Sequence, residues 1–173
     1  MLSKVACVAC LILALLGSVL GTFADDLADF NAAVEVASAH NRVAIGYLRT
    51  GNADLASREI DRLRDAWARF TERFSGERPG AFADNALYGK LFTVVSARLV
   101  GADLMLKTGR LDAASISLND IRGDLYNLRK ASGVAVLADC VRDANSTMDT
   151  LMVYRQSAQP GRIQRHLHIQ RQQ

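Results

Sequence analysis

Proline is almost missing from this 173-residue chain, and aromatic residues make up only 6% of it. Its two prolines, Pro79 and Pro160, leave long stretches free of the residue that breaks a helix interior. Lysine is nearly as scarce, with four against 17 arginines. Cysteine is scarcer still in the part that matters. Cys7 and Cys10 fall inside an N-terminal apolar stretch, and beyond it stands Cys140 alone. One thiol cannot close an internal disulfide, so the fold must rest on its apolar core. Cys140 then has two readings: a small buried hydrophobe, or a free thiol available for intermolecular pairing.

Catalytic signatures are missing as well. No HExxH, no Glu-x-x-His pair, no GxSxG and no glycine-rich phosphate loop occurs, which removes the motif-borne metalloprotease, di-iron, hydrolase and nucleotide chemistries. His40 is the one histidine of the body. Beside Val36, Val43 and Tyr47 it borders an apolar face, and it reads as a hydrogen-bonded core-edge residue or as a ligand or interaction point. An enzyme would need an acid such as Glu35 or Glu59 to meet it in a cleft. His166 and His168 lie in the tail, and two donors do not make a metal site. Net charge is small: residues 25–154 carry 16 basic and 18 acidic side chains, a balance of −2, while Arg155, Arg162, Arg165 and Arg171 follow with no acid. A near-neutral body with a basic tail argues against nucleic acid as a partner. The tail is instead suited to contact with an anionic membrane surface.

What is present begins with an export pattern. Lys4 precedes an unbroken apolar run from Val5 to Leu20, followed by Gly21, Thr22 and Ala24. This is the layout of a secretory signal peptide, and it predicts cleavage after Ala24. The domains expected are therefore a signal peptide at 1–24, one helical domain at 25–155 and a disordered basic tail at 156–173. With the arginine bias, this layout predicts a periplasmic protein.

The body repeats itself at an interval of 58 positions. Tyr47-Leu-Arg-Thr-Gly-Asn-Ala-Asp-Leu-Ala-Ser57 is echoed by Met105-Leu-Lys-Thr-Gly-Arg-Leu-Asp-Ala-Ala-Ser115. Ala56, Ile60, Leu63, Trp67 and Phe70 then correspond to Ala114, Leu118, Ile121, Leu125 and Leu128. Apolar periodicity predicts five helices. The first, from about Asp26 to Arg49, carries Leu27, Phe30, Val34, Ala37, Asn41, Ala44 and Leu48 on one face. The second, about Ala53 to Phe74, has an a/d seam ending at Phe70 and Phe74. The polar link Ser75–Gly80 separates the copies. The third, about Ala83 to Lys107, has Tyr88, Phe92, Val95, Leu99, Ala102 and Leu106 inward. Leu87, Leu91 and Val94 widen that seam, so this helix is expected to be the most buried. The fourth runs to about Ala131, where Gly133 closes it. The fifth, to about Tyr154, is expected to turn Val134, Leu137, Val141, Ala144, Met148 and Leu151 inward. It either packs outside the others or extends the fourth beyond a kink. The expected fold is all-α: an up-down-up-down four-helix bundle of two duplicated hairpins, plus a C-terminal fifth helix.

Two resemblances follow from these residues. The turns Thr50–Ala56 and Thr108–Ala114 resemble the mid-repeat turn of tetratricopeptide proteins, although that repeat has a period of about 34 residues. Asp26–Asp29 and the segment Leu104–Leu128 are similar to parts of the periplasmic four-helix-bundle cytochromes of the soluble b-type and c-prime kinds. That resemblance implies a haem in the bundle, yet about Asn31 stands where the family's methionine ligand would be and about Arg129 where its histidine would be. No CxxCH surrounds Cys140 either.

The remaining soft donors are Cys140, Met148 and Met152, spaced eight and four apart on the fifth helix, a set whose chemistry suits Cu(I). The functional expectation is a non-catalytic exported bundle with no cofactor. It would bind a periplasmic protein partner or a ligand through a helix face or through Cys140, with a Cys140-linked dimer as one form. The alternative is a haem- or copper-binding electron-transfer or metal-handling bundle.

Overall fold

Three helix ends in the computed structural model are built alike, each around a glycine in the left-handed region. The structure describes residues 2–157, with side chains described for 25–155. Gly51, Gly109 and Gly133 have φ of 76°, 74° and 67°, a conformation that a Cβ disfavours. At the first, the Asn52 N–H reaches back to the Tyr47 carbonyl at 2.9 Å and the Gly51 N–H to Leu48 at 3.1 Å. The second uses Arg110 to Met105 at 2.8 Å and Gly109 to Leu106 at 2.9 Å, and the third Val134 to Arg129 at 2.9 Å and Gly133 to Lys130 at 3.2 Å. This pair of bonds is the Schellman motif, which satisfies carbonyls orphaned by the helix end. Thr50 and Thr108 add matching hydroxyl bonds, to Gly46 and Tyr47 and to Leu104 and Met105. The entry to the next helix differs: Asn52 accepts from the Leu55 N–H, whereas Arg110 supplies no side-chain cap.

These ends delimit α1 (Leu2–Arg49), α2 (Ala53–Phe74), α3 (Ala86–Lys107), α4 (Leu111–Ala131) and α5 (Leu137–Ser157). The described residues are all-α with no strand. The chain forms two compact units, one ending at Val134 and holding α1–α4, and a second holding α5.

Within the first unit, α1 packs on α2 and α4, and α3 packs on the same two helices. Cross-helix bonds show antiparallel neighbours: His40 with Glu59, Trp67 with Ser96, and Arg98 with Asp120. This is the up-down-up-down bundle. Every position of the expected α2 seam, Ala56 through Phe74, is buried, as are Phe30, Val34, Ala37, Asn41, Ala44 and Leu48 of α1.

One end of the bundle is filled by rings. Phe30 lies 4.8 Å from Phe82 and 5.1 Å from Phe70 between ring centroids, and Tyr88 stacks on Phe82 at 5.6 Å. Phe82 is fully buried and sits on a 3-10 turn, Gly80–Phe82, in the link between hairpins. The chain just past the polar link Ser75–Gly80 thus dips into the core to seal the bundle. α3 consequently starts at Ala86 rather than near Ala83. Asn85 caps it, accepting from the Leu87 N–H at 2.8 Å, while its amide donates to the Leu128 carbonyl at 3.0 Å and the Ser132 hydroxyl at 2.6 Å.

Other expectations need correction. α3 is not the most buried helix, since Leu91 is buried but Leu87 and Val94 are exposed. A helix in a four-helix bundle covers only a stripe of its perimeter, and those two positions fall beyond it. α5 is a helix of its own, separated from α4 by the turn at Gly133. Val134, the first position of the expected seam, is half-buried against the core, but the rest does not turn inward: Leu137 is 80% exposed and Met148 57%, with Val141, Ala144 and Leu151 also exposed. A heptad spacing marks a face that gains from being covered, and nothing among the described residues of its own unit covers it. α1 runs without a break through Ala24, the site of the expected cleavage, and the side chains of residues 1–24 lie outside the described residues, as does the tail from 158 on. Among the described residues no helix is long and apolar enough to cross a membrane.

Candidate functional site

The polar group closest to a site is where α1 meets α2. Glu59 is buried, and its carboxylate accepts from His40 Nδ1 at 2.8 Å and from Arg62 Nη1 at 2.5 Å. The bond from His40 holds the Glu59 carboxyl below the usual glutamate range, helped by the Arg62 charge and opposed by burial. His40 is 31% exposed at its side chain. This is the hydrogen-bonded core-edge histidine expected from the sequence, and Glu59 does meet it, whereas Glu35 pairs with Arg42 at 2.6 Å. Among the described residues no hydroxyl or thiol hydrogen-bonds to His40. The carboxylate is held on two sides, by His40 and by Arg62. It ties α1 to α2.

A second polar cluster joins α3 to α4. Arg98 donates to Asp124 at 2.6 Å and to Asp120 at 2.7 Å, and these carboxylates, Asp124 foremost, raise its pKa above the usual arginine value. No spacing in the sequence announces this cluster, because its members are 22 and 26 positions apart and meet only through packing.

α5 carries the soft donors. Cys140 is exposed, so the buried-thiol reading is corrected: no apolar surroundings enclose it, and the thiol is open to solvent. Met148 and Met152 are exposed one turn apart. Cys140 lies about 12 Å from Met148 along the helix axis, at 1.5 Å per residue. The three sulfurs thus share a side of α5 without converging on one ion. Among the described residues no group of three or more His, Cys, Asp or Glu is placed to hold a metal.

Haem fits poorly. Asn31 is half-buried and Arg129 buried at the positions matching the cytochrome ligands, and neither supplies the family's methionine or imidazole. The space between α1, α2 and α3 at that end of the bundle is taken by Phe30, Phe70, Phe74, Phe82, Tyr88 and Phe92.

One apolar groove opens between α2 and α3. It has a volume of about 350 Å³ and is lined by Trp67, Ala68, Thr71, Leu99 and Val100, with Arg64 and Ser96. Trp67 Nε1 donates to Ser96 Oγ at 3.2 Å.

No protein-family model matches the chain, and no curated protein or solved structure does so either.

Proposed function

We propose that this is an exported, non-catalytic bundle protein that holds a partner protein in the periplasm through the apolar seam of α5. The observation that carries the reading is the exposure of the seam along α5 itself, Leu137, Val141, Ala144, Met148 and Leu151. Their alternating spacings of four and three form an a/d stripe, and an amphipathic helix of this kind lays its apolar face into a hydrophobic groove or against a second helix. The α1–α4 bundle, read as two copies of one hairpin, serves as the rigid mount. The leader accounts for export, Cys140 beside the seam allows a disulfide-linked dimer, and the basic tail allows contact with an anionic membrane surface.

The test is site-specific photocrosslinking in producing cells, with a benzophenone side chain at Met148 or at Asp149. A discrete adduct from Met148, absent from Asp149 and lost when Val141→Glu is added, supports docking on the seam. Identical patterns from both positions sink it.

The second reading is copper handling, because the exposed Cys140, Met148 and Met152 are thiolate and thioether donors that suit Cu(I); since they do not converge on one ion within a copy, the site would have to be completed by donors from outside α5. Stoichiometric copper in the purified protein, lost in Cys140→Ala, would establish it. A Soret band would reopen the haem alternative.

A further inference from the structure

The outer faces of α1 and α3 differ from that of α2. On α2 the solvent side is charged, with Arg58, Asp61, Asp65, Arg69 and Glu72 all exposed. On α1 the exposed Glu35–Arg42 pair flanks a strip of Ala32, Val36, Ala39, Val43 and Gly46, at spacings of four and three, with Val43 45% exposed and Ala39 half-buried. On α3 the positions 58 residues later are Lys90, Val94, Ala97, Gly101 and Leu104, with Leu104 62% exposed. A helix that is apolar on its outer side as well as its core side has a second face to cover.

α1 and α3 are diagonal in the bundle, each packing on α2 and α4, so their outer strips face opposite sides of the molecule. Both helices run in the same direction. The strips are complementary when laid parallel at the 58-residue offset. Val43 then faces Gly101, and Leu104 faces Gly46. A Cβ at either glycine would meet nothing within 4 Å, so each leaves open the space the opposing side chain would fill. Ala39 faces Ala97, which lets the backbones approach. Lys90, which has no ion-pair partner among the described residues, falls over Ala32, about two turns from Asp25, whereas the nearer Asp29 is already paired with Arg73.

We infer that the occupant of each strip is a second copy of this chain, with α1 of one copy docked parallel on α3 of the next. Such a contact is heterologous: each copy uses one strip and leaves the other open, so copies add side by side with the same polarity. This interface is independent of the α5 seam. The strip from 32 to 46 is about 22 Å long at 1.5 Å per residue. Under a helix about 10 Å wide it covers on the order of 220 Å² per copy, roughly a quarter of a standard interface. The association is therefore weak and concentration-dependent.

Sedimentation velocity of the full chain, with reductant present to keep Cys140 from bridging copies, reads the contact directly. The concentration range is roughly 10 µM to 1 mM, where a contact of this size assembles. The wild type is expected to sediment faster as concentration rises. Val43→Glu and Leu104→Glu each destroy one strip at an exposed position and should each weaken self-association at least about tenfold, with helical circular dichroism unchanged. An equimolar mixture of the two variants brings one intact α1 strip to one intact α3 strip, so it should form one-to-one dimers and nothing larger. A monomeric wild type, self-association surviving in both single variants, wild-type behaviour of either variant, or a mixture that stays monomeric would each overturn the inference.

Discussion

Replacing Tyr88 with Phe separates a buried hydrogen bond from the ring that carries it, and pH then reads the bond from a second direction. Tyr88 is 2% exposed, and its hydroxyl donates to the Phe74 carbonyl at 2.7 Å. The ring packs on Phe82 and Phe92 and survives the change. At neutral pH the variant should lose the net value of one hydrogen bond, about 1 kcal/mol, or roughly 3–5 °C in Tm for a domain of this size. Burial pushes the Tyr88 phenol up to about 12, against a smaller downward pull from Arg78. A pKa raised in the folded state means stability that is complete below the unfolded value near 10 and is lost as pH climbs towards 12. Over those two pH units the wild type should lose up to about 2.7 kcal/mol that the Phe variant keeps. The two proteins should therefore be equally stable near pH 10.7, by about the same linkage, with the variant the more stable above it. Urea unfolding followed at 222 nm from pH 7 to pH 11.5 measures the difference, and the other titrating groups are common to both proteins. A wild-type advantage that stays constant across this range would refute the placement of a protonated phenol in the aromatic end of the bundle.

Asn41 is buried, with its amide donating to the Leu118 carbonyl at 3.0 Å and its Oδ1 left without a partner. Asn41→Leu should therefore stabilise the chain by about 1 kcal/mol, seen as a higher Tm. Phe82→Ala, which unplugs the ring cluster, should cost about 3–5 kcal/mol in urea unfolding. Gly109→Ala forces a side chain into the left-handed turn at φ 74° and should cost about 1–2 kcal/mol in the same assay. Glu59→Gln should lose about 1.5–3 kcal/mol at pH 7. Because the Glu59 carboxyl is held below its ordinary range, its contribution is present above the unfolded value near 4.3 and fades as pH falls through the lower folded value. Acid titration of both proteins by circular dichroism should show the gap closing below that range.

Much of the fold was legible because its causes are local. Thr50-Gly51 and Thr108-Gly109 announce helix ends, since a glycine with positive φ closes a Schellman turn using only residues within six positions of one another. The a/d spacing from Ala56 to Phe74 names the buried face of α2, since 3.6 residues per turn put those positions in line. The candidate site was less legible. His40 read correctly as a core-edge residue, but its choice of Glu59 over Glu35 depended on how α2 is set against α1. The Arg98 cluster and the Asn41 bond to Leu118 join separate helices, and no short-range pattern encodes them.

The sequence alone determined that the chain is helical, where four of its helices end, and which stripe of α1, α2 and α4 seeks cover. Tertiary structure decided what covers each stripe. Phe82, just past the polar link Ser75–Gly80, dips into the core because the rings of Phe30 and Tyr88 leave a space there. The seam of α5 and the outer strips of α1 and α3 stay uncovered although their spacing equals that of a buried seam. Periodicity records that an apolar face exists, because it follows from helix geometry. Burial is a relation between that face and another surface, and the second surface is written elsewhere in the chain or in another molecule.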